Sequence, residues 1–483
     1  MLVLNLIFVS VQRAKLASPY YHLFYPFANE LLIKITNPSF LSYIVLYPQI
    51  DAATGESETN ASVLARSIQL ARCFRKLGAK PGDVLALGGK NHLDLHIPYY
   101  AALMNGLPIA GVDPLFKQTE IQKLFKICSP RIAFCQKELL EVYQAVKEEL
   151  GLNTEIICFD EGKHSLANFI KKYDDKDDQE EFLPVIIDQN KHYVWLISTG
   201  GTTGVVKLAA FTHRSFMKKL ELPNGENKMG LNISPVQWVS SYFSAISAPL
   251  LRQTKLQTSN PLTTEHIIDL INQYRVSYLK FLINNNVIII FYSSYYVKTV
   301  NTVLLKSMSS SLVLFMYGQT ENLGPIFVGG PEGPIGNCGK TAPALPTVKL
   351  MRSLQIIICN TIISLQYLHF QEYYNNPEET AASFTEDGWY KTGDILYRDE
   401  NGYFFFVERI KMMIKYRMYH VIPPEIEAVI REHPGVLDVS VTSVPHEDDG
   451  EHPVACVMRR PGSNVTADEN KKNDIYVRDC IPL

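Results

Sequence analysis

One stretch of this chain combines residue types that could hold a phosphorylated ligand. Trp195-Leu196-Ile197-Ser198-Thr199-Gly200-Gly201-Thr202-Thr203-Gly204-Val205-Val206-Lys207 passes from an apolar strand into glycines and hydroxyls, then to a lysine. Glycines let backbone N–H groups close around anionic oxygens, threonine hydroxyls add donors, and a lysine adds a point charge. That set suits a triphosphate or pyrophosphate. It differs from the Gly-x-x-x-x-Gly-Lys loop of nucleoside triphosphatases, because Lys207 does not directly follow Gly204. Taken alone, such a stretch reads equally well as a flexible glycine turn.

Alternating elements surround it. Residues 61–77 carry apolar side chains at helical period, from Val63 to Leu77, and Gly78-Ala79-Lys80-Pro81-Gly82-Asp83 ends the run. Val84–Leu87 reads as a buried strand, residues 93–104 as a helix, and Pro108–Val112 as an apolar strand. Lys117–Ile127 then reads as a helix and Arg131–Cys135 as a strand. Short strands alternating with helices predict a parallel sheet covered by helices. Near residue 400 the character changes. Asp399-Glu400-Asn401-Gly402 is a turn between strand-like runs, with a proline-opened helix over 424–432 and strands over 436–444 and 453–458. The expectation is an α/β protein with a large N-terminal domain of helix-covered sheets over 1–408, a hinge at 409–411 and a small mobile α+β domain over 412–483.

The glycine loop resembles the phosphate loop of the adenylate-forming superfamily, which includes acyl-CoA synthetases, 4-coumarate–CoA ligases and insect luciferases. The register holds through Thr212-His213, although Gly200, Val206 and Leu208 replace a serine, a proline and a glycine. Further segments follow in family order. Tyr317-Gly318-Gln319-Thr320-Glu321 resembles its Tyr-Gly-x-Thr-Glu motif, Gly336-Asn337-Cys338-Gly339-Lys340 its glycine-lysine turn, and Glu372-Tyr373-Tyr374 its Gly-Tyr-Tyr segment. Thr392-Gly393-Asp394 resembles its Thr-Gly-Asp motif, and the run from Glu408 to Tyr416 the hinge and first strands of its C-terminal domain.

The resemblance implies roles. Thr199, Gly200, Gly201, Thr202, Thr203, Gly204 and Lys207 would cradle the phosphates, and His213 would keep its place after the loop. Tyr317 and Gly318 would lie against adenine, Thr320 at the AMP phosphate, and Glu321 with Thr202 at magnesium. Asp394 would accept both ribose hydroxyls, since two adjacent donors suit one carboxylate, and Arg409 would add a ribose contact. Lys415 would lie in the face that closes for the second half-reaction. ATP, Mg2+ and coenzyme A are therefore the implied cofactor and cosubstrates.

Three departures stand against this pattern. No glycine occurs between Leu231 and Tyr317, where the family places a glycine-rich adenine turn, nor between Lys340 and Asp387. Met418 stands where the family has a glycine. The chain stops at Cys480-Ile481-Pro482-Leu483, so the C-terminal domain is expected to be incomplete and to lack the family's late Gly-Lys lysine.

The bulk composition narrows the field. A formal charge of −3, from 46 basic and 49 acidic residues, argues against a nucleic-acid partner. No apolar run is long enough to predict a transmembrane span. The eight cysteines lack C-x-x-C spacing and read as reduced, mostly buried thiols. The chain is thus expected to be an ATP-dependent acid–CoA ligase, taking an aromatic or fatty acid into an apolar pocket fed by residues 233–243. Two alternatives stand beside it: a catalytically impaired nucleotide- or acyl-binding protein, and a luciferase-type monooxygenase. The peroxisome or the cytoplasm is the expected location, without a C-terminal Ser-Lys-Leu-type signal.

Overall fold

The computed structural model describes residues 48–174, 182–199, 206–215, 229–250, 253–276, 278–280, 289–290, 314–329, 333–334, 336–341, 347–352, 361–366, 370–410, 413–416, 419–446, 450–463 and 476–479. The period-3.6 stripe at residues 61–77 forms the helix Asn60–Lys76, opened by Thr59, whose side chain accepts from the Ser62 N–H. It buries Val63, Leu70, Ala71 and Phe74. The helices His96–Met104 and Gln118–Cys128 and the strands Leu85–Gly88, Ile109–Val112 and Ile132–Cys135 follow the sequence reading within two or three residues.

These three strands and two others form the parallel sheet that the alternation predicts. From the edge they run Glu155–Cys158, Ile132–Cys135, Leu85–Gly88, Ile109–Val112 and Tyr193–Thr199. Two more strands join in antiparallel sense. Lys207–Thr212 returns along Tyr193–Thr199, and Glu372–Tyr373 pairs with it from far along the chain. A hairpin needs no crossover helix, which is why strand–helix alternation stops here. A second sheet places Tyr278–Lys280, Met229–Asn232, Thr254–Gln257 and Gln49–Asp51 in parallel, with Ser57–Glu58 antiparallel at its edge. Its apolar face carries Leu231 and Leu256 against Ile267 and Leu270 of the helix Thr264–Tyr274.

Two antiparallel sheets carry the later motifs. Ile289–Ile290, Leu314–Gln319 and Gly324–Gly329 form one. Thr347–Arg352, Thr361–Gln366, Tyr390–Arg398 and Phe404–Arg409 form the other. The 339–340 segment joins them, bridging Val328 to Lys340 and Gly339 to Phe404. The expected turn is present: Gly402 adopts φ +84°, and its N–H donates to the Asp399 carbonyl.

The C-terminal residues build a separate small sheet from Tyr419–Val421, Ile414–Tyr416, Gly450–Arg459 and Val436–His446, with Tyr476–Asp479 parallel to Gly450–Arg459. The helix Pro423–Arg431 packs on it through its own core of Ile414, Ile430, Val439, Val441 and Val457. Among the described residues no helix is long and apolar enough to cross a membrane. Six cysteines are free thiols, and five of them are buried; burial raises the Cys128 and Cys338 thiols to about 12. Cys359 and Cys480 lie outside the described residues.

Candidate active site

Two polar clusters lie along the strand Tyr390–Arg398. Tyr390, Thr392 and Asp394 are buried while Lys391 is exposed, and between Thr392 and Asp394 the strand is interrupted by Gly393 at φ +73° and by a register shift against its neighbour.

The first cluster centres on Asp394, which is 1% exposed. Its Oδ2 accepts from the Tyr317 hydroxyl at 2.6 Å and from the Gln319 Nε2 at 2.7 Å. Gln319 also donates to the Thr392 carbonyl at 2.9 Å. Arg409, directly across the ladder, brings its Nε to 3.2 Å from Oδ1. That contact is an ion pair without hydrogen-bond alignment, and Oδ1 is a buried acceptor with no hydrogen bond among the described residues. Burial pushes the Asp394 carboxyl above its ordinary value, opposed by Arg409 and by the Tyr317 and Gln319 hydrogen bonds. The Tyr317 ring is 3% exposed and stacks on Phe327 at 5.4 Å, with Phe406 at 6.4 Å.

The second cluster centres on Lys207 and Tyr373. Thr199 pairs with Lys207 across the hairpin, closing the base of the glycine loop. Gly200, Gly201, Thr202, Thr203 and Gly204 lie outside the described residues. The Lys207 ammonium is ion-paired with Glu379 and stands 4.9 Å over the Tyr373 ring. The Tyr373 hydroxyl donates to the Glu321 Oε1 at 2.7 Å and lies 3.5 Å from the Tyr390 hydroxyl. Glu321, 7% exposed, sits with Thr320 in the one-turn helix Thr320–Asn322. Leu323 ends that turn at φ +50°, a left-handed conformation costing about 1 kcal/mol for a residue with a Cβ, and its N–H donates to the Thr320 carbonyl. The preceding strand carries a register shift between Tyr317 and Gly318.

Sequence reasoning thus placed Lys207, Tyr317, Glu321, Asp394 and Arg409, and the fold gathers all five into these clusters. It missed three participants. Gln319 stood at the variable position of its motif. Tyr373 was visible only as part of a Tyr-Tyr segment, and Glu379 carried no signal beyond a surface charge. Lys415 lies on a different sheet, in register with His420, and Lys411 is outside the described residues. In the 233–243 segment, Ile233, Val236, Val239 and Tyr242 are core residues, and the Tyr242 hydroxyl accepts from the Gly111 N–H at 2.7 Å.

His213 follows the returning strand, 2% exposed, with Nδ1 unpartnered among the described residues. Burial lowers its pKa from 6.5 to about 4. The folded protein therefore keeps this imidazole neutral where the unfolded chain would protonate it. Its contribution to stability is complete above about pH 6.5 and is lost as pH falls toward 4, a change of about 3 kcal/mol. Urea unfolding at pH 7 and pH 4.5 is expected to show a smaller acid loss for His213→Asn than for wild type. Equal losses would contradict the assignment.

The chain matches the AMP-binding enzyme family over residues 44–282 and the AMP-binding enzyme C-terminal domain over 425–477. It is 27% identical to a luciferin 4-monooxygenase of Photuris pensylvanica over 457 residues, covering 85% of this chain and 82% of that protein. It is also 27% identical to 4-coumarate–CoA ligase 2 of Petroselinum crispum over 471 residues, covering 88% and 84%. Its fold is similar to that of ATP-bound MatB from Rhodopseudomonas palustris, with a TM-score of 0.71 at 20% identity over 90% of this chain and 92% of that one. The ordered motifs, the two-part architecture and these matches agree: the chain belongs to the adenylate-forming superfamily.

Proposed function

We propose that this chain is an ATP-dependent acid–CoA ligase that activates an aromatic or fatty acid as acyl-AMP and passes the acyl group to coenzyme A. The observation that carries this reading is the Oδ1 of buried Asp394, which faces Arg409 but accepts no hydrogen bond among the described residues, on the same strand that leads to the Lys207–Tyr373–Glu321 cluster. A buried acceptor that receives no hydrogen bond is costly, and two adjacent ribose hydroxyls are donors of the right kind. Lys207, beside the glycine loop, suits the β- and γ-phosphates. Glu321 fits a magnesium ion, because its Oε2 has no hydrogen bond among the described residues. Magnesium is commonly held by one or two carboxylates together with substrate phosphates. When bound it would neutralise phosphate charge.

In this mechanism the carboxylate of the acid attacks the α-phosphorus, forming the mixed anhydride and releasing pyrophosphate. The coenzyme A thiol then attacks the acyl carbonyl, and AMP leaves. Asp394 and Arg409 hold the sugar, Thr320 steadies the α-phosphate, and Lys207 offsets charge as pyrophosphate departs. Rotation of the small C-terminal domain about residues 409–411 would bring Lys415 to the site for the second step. The 4-coumarate–CoA ligase relatives support this chemistry.

ATP–pyrophosphate exchange with a panel of aromatic and fatty acids, followed by thioester formation, tests the proposal. Exchange is expected only with acid present, and acyl-CoA only when coenzyme A is added. ATP binding without exchange for any acid would instead mark a nucleotide-binding protein that has lost catalysis. The luciferin 4-monooxygenase relatives favour a second reading, in which the adenylate is oxygenated; light emission with luciferin separates it from the first.

A further inference from the structure

Lys207 is not a free cation in this fold. Its side chain is 13% exposed and its ammonium is ion-paired with the Glu379 carboxylate, whose own side chain is 45% exposed. The base is embedded and the acid is the solvent-facing member. A rigid bracket holds both. Tyr373 pairs with Ala209, two residues beyond Lys207, which sets its ring beneath the ammonium. The Tyr373 N–H donates to the Thr380 Oγ1 at 2.9 Å, and Thr380 Oγ1 donates to the Asn376 carbonyl at 2.7 Å. Asn376 accepts from the Glu379 N–H at 3.2 Å, fixing the residue that carries the carboxylate.

We propose that Glu379 is a built-in counter-anion, occupying Lys207 until a polyphosphate displaces it and so setting how strongly the site prefers ATP over AMP. The inference rests on the nucleotide reading of Lys207. An embedded lysine without a partner would be a desolvated, uncompensated charge, so the empty site needs an anion there. A single half-exposed carboxylate is a weak competitor for a multiply charged phosphate tail, and water can take up the released acid. The carboxylate therefore stands in for a phosphate oxygen while the site is empty. AMP, whose one phosphate falls to Thr320 in the proposed geometry, does not have to displace it.

The test is Glu379→Gln, which keeps side-chain length and leaves the backbone bonds of the bracket in place. Calorimetric titration with Mg-ATP, Mg-pyrophosphate and AMP is expected to show ATP and pyrophosphate binding about threefold to fivefold tighter, on the scale of a partly exposed ion pair. AMP binding is expected to stay within about twofold. In a Lys207→Met background, adding Glu379→Gln is expected to change nothing further, which separates competition for Lys207 from any general effect on the loop. Weaker ATP binding in Glu379→Gln would overturn the inference and make Glu379 a positioning residue for Lys207. An equal change for ATP and AMP would overturn it too. Wild-type protein that binds neither nucleotide would remove the reading beneath it, an outcome visible before any variant is compared.

Discussion

Asp394→Asn is expected to lower acid-dependent pyrophosphate exchange by about 10²–10³-fold, with thermal stability unchanged or slightly higher. The loss follows from replacing a charged acceptor with a neutral amide. Hydrogen bonds to charged groups contribute about 1.5–3 kcal/mol each, and two ribose hydroxyls lose such a partner together. The amide also offers an N–H toward Arg409, where the carboxylate offered its Oδ1. Stability moves the other way because burial raises this carboxyl above its ordinary value. The folded protein holds the proton more tightly than the unfolded chain does, so its contribution is lost as pH rises through the folded value. The amide escapes that loss, and its Oδ1 can still accept from Tyr317 and Gln319. Pyrophosphate exchange together with a thermal melt decides the matter. A variant that keeps a tenth or more of the exchange rate would remove Asp394 from the sugar site, and one that unfolds would show the carboxylate to be structural.

Gly339→Ala is expected to destabilise the protein by about 3–5 kcal/mol, among the most damaging single-methyl changes the fold could receive. Two effects add. Gly339 has φ +101°, where a residue with a Cβ is strained by about 1–2 kcal/mol. A methyl group there would also lie 2.2 Å from the Val328 carbonyl carbon and 2.4 Å from the Gly329 nitrogen. Both are backbone atoms, so no side chain can rotate away. The N–H groups of Lys340 and Val328 donate to each other's carbonyls, and the Phe404 N–H donates to the Gly339 carbonyl. This segment therefore stitches the sheet of Tyr317 to the sheet of Asp394, and pushing it out should loosen the Tyr317–Asp394 hydrogen bond as well. Gly388→Ala is the matched control: φ is +81° but no atom of the described residues lies within 4 Å of the added methyl, so only the backbone strain remains. Urea unfolding should separate the two variants by about 2 kcal/mol or more. Equal midpoints would show that the strands part at little cost.

Much of this fold was legible residue by residue. Apolar period and turn chemistry located the helices Asn60–Lys76 and Gln118–Cys128 and the strands around them, because those signals are local. The small C-terminal sheet was legible for the same reason, with the proline-opened helix at Pro423–Arg431 between strands. The antiparallel return of Lys207–Thr212 was not, since a glycine loop can lead to a helix or to a strand. The pairing of Glu372–Tyr373 with that strand joins residues more than 160 positions apart, and no local periodicity encodes it.

By itself, the sequence determined the family and the order of the motifs, and it supplied the groups proposed to meet phosphate and sugar. Residue type and short spacing fix donor, acceptor and charge chemistry without reference to the rest of the chain. Tertiary structure decided what those groups face. Tyr317 reaches Asp394 across 77 residues, Tyr373 reaches Glu321 across 52, and Lys207 meets Glu379 across 172. Such meetings depend on sheet register and on how the sheets are joined, and a change of one residue in register turns each strand side chain to the opposite face.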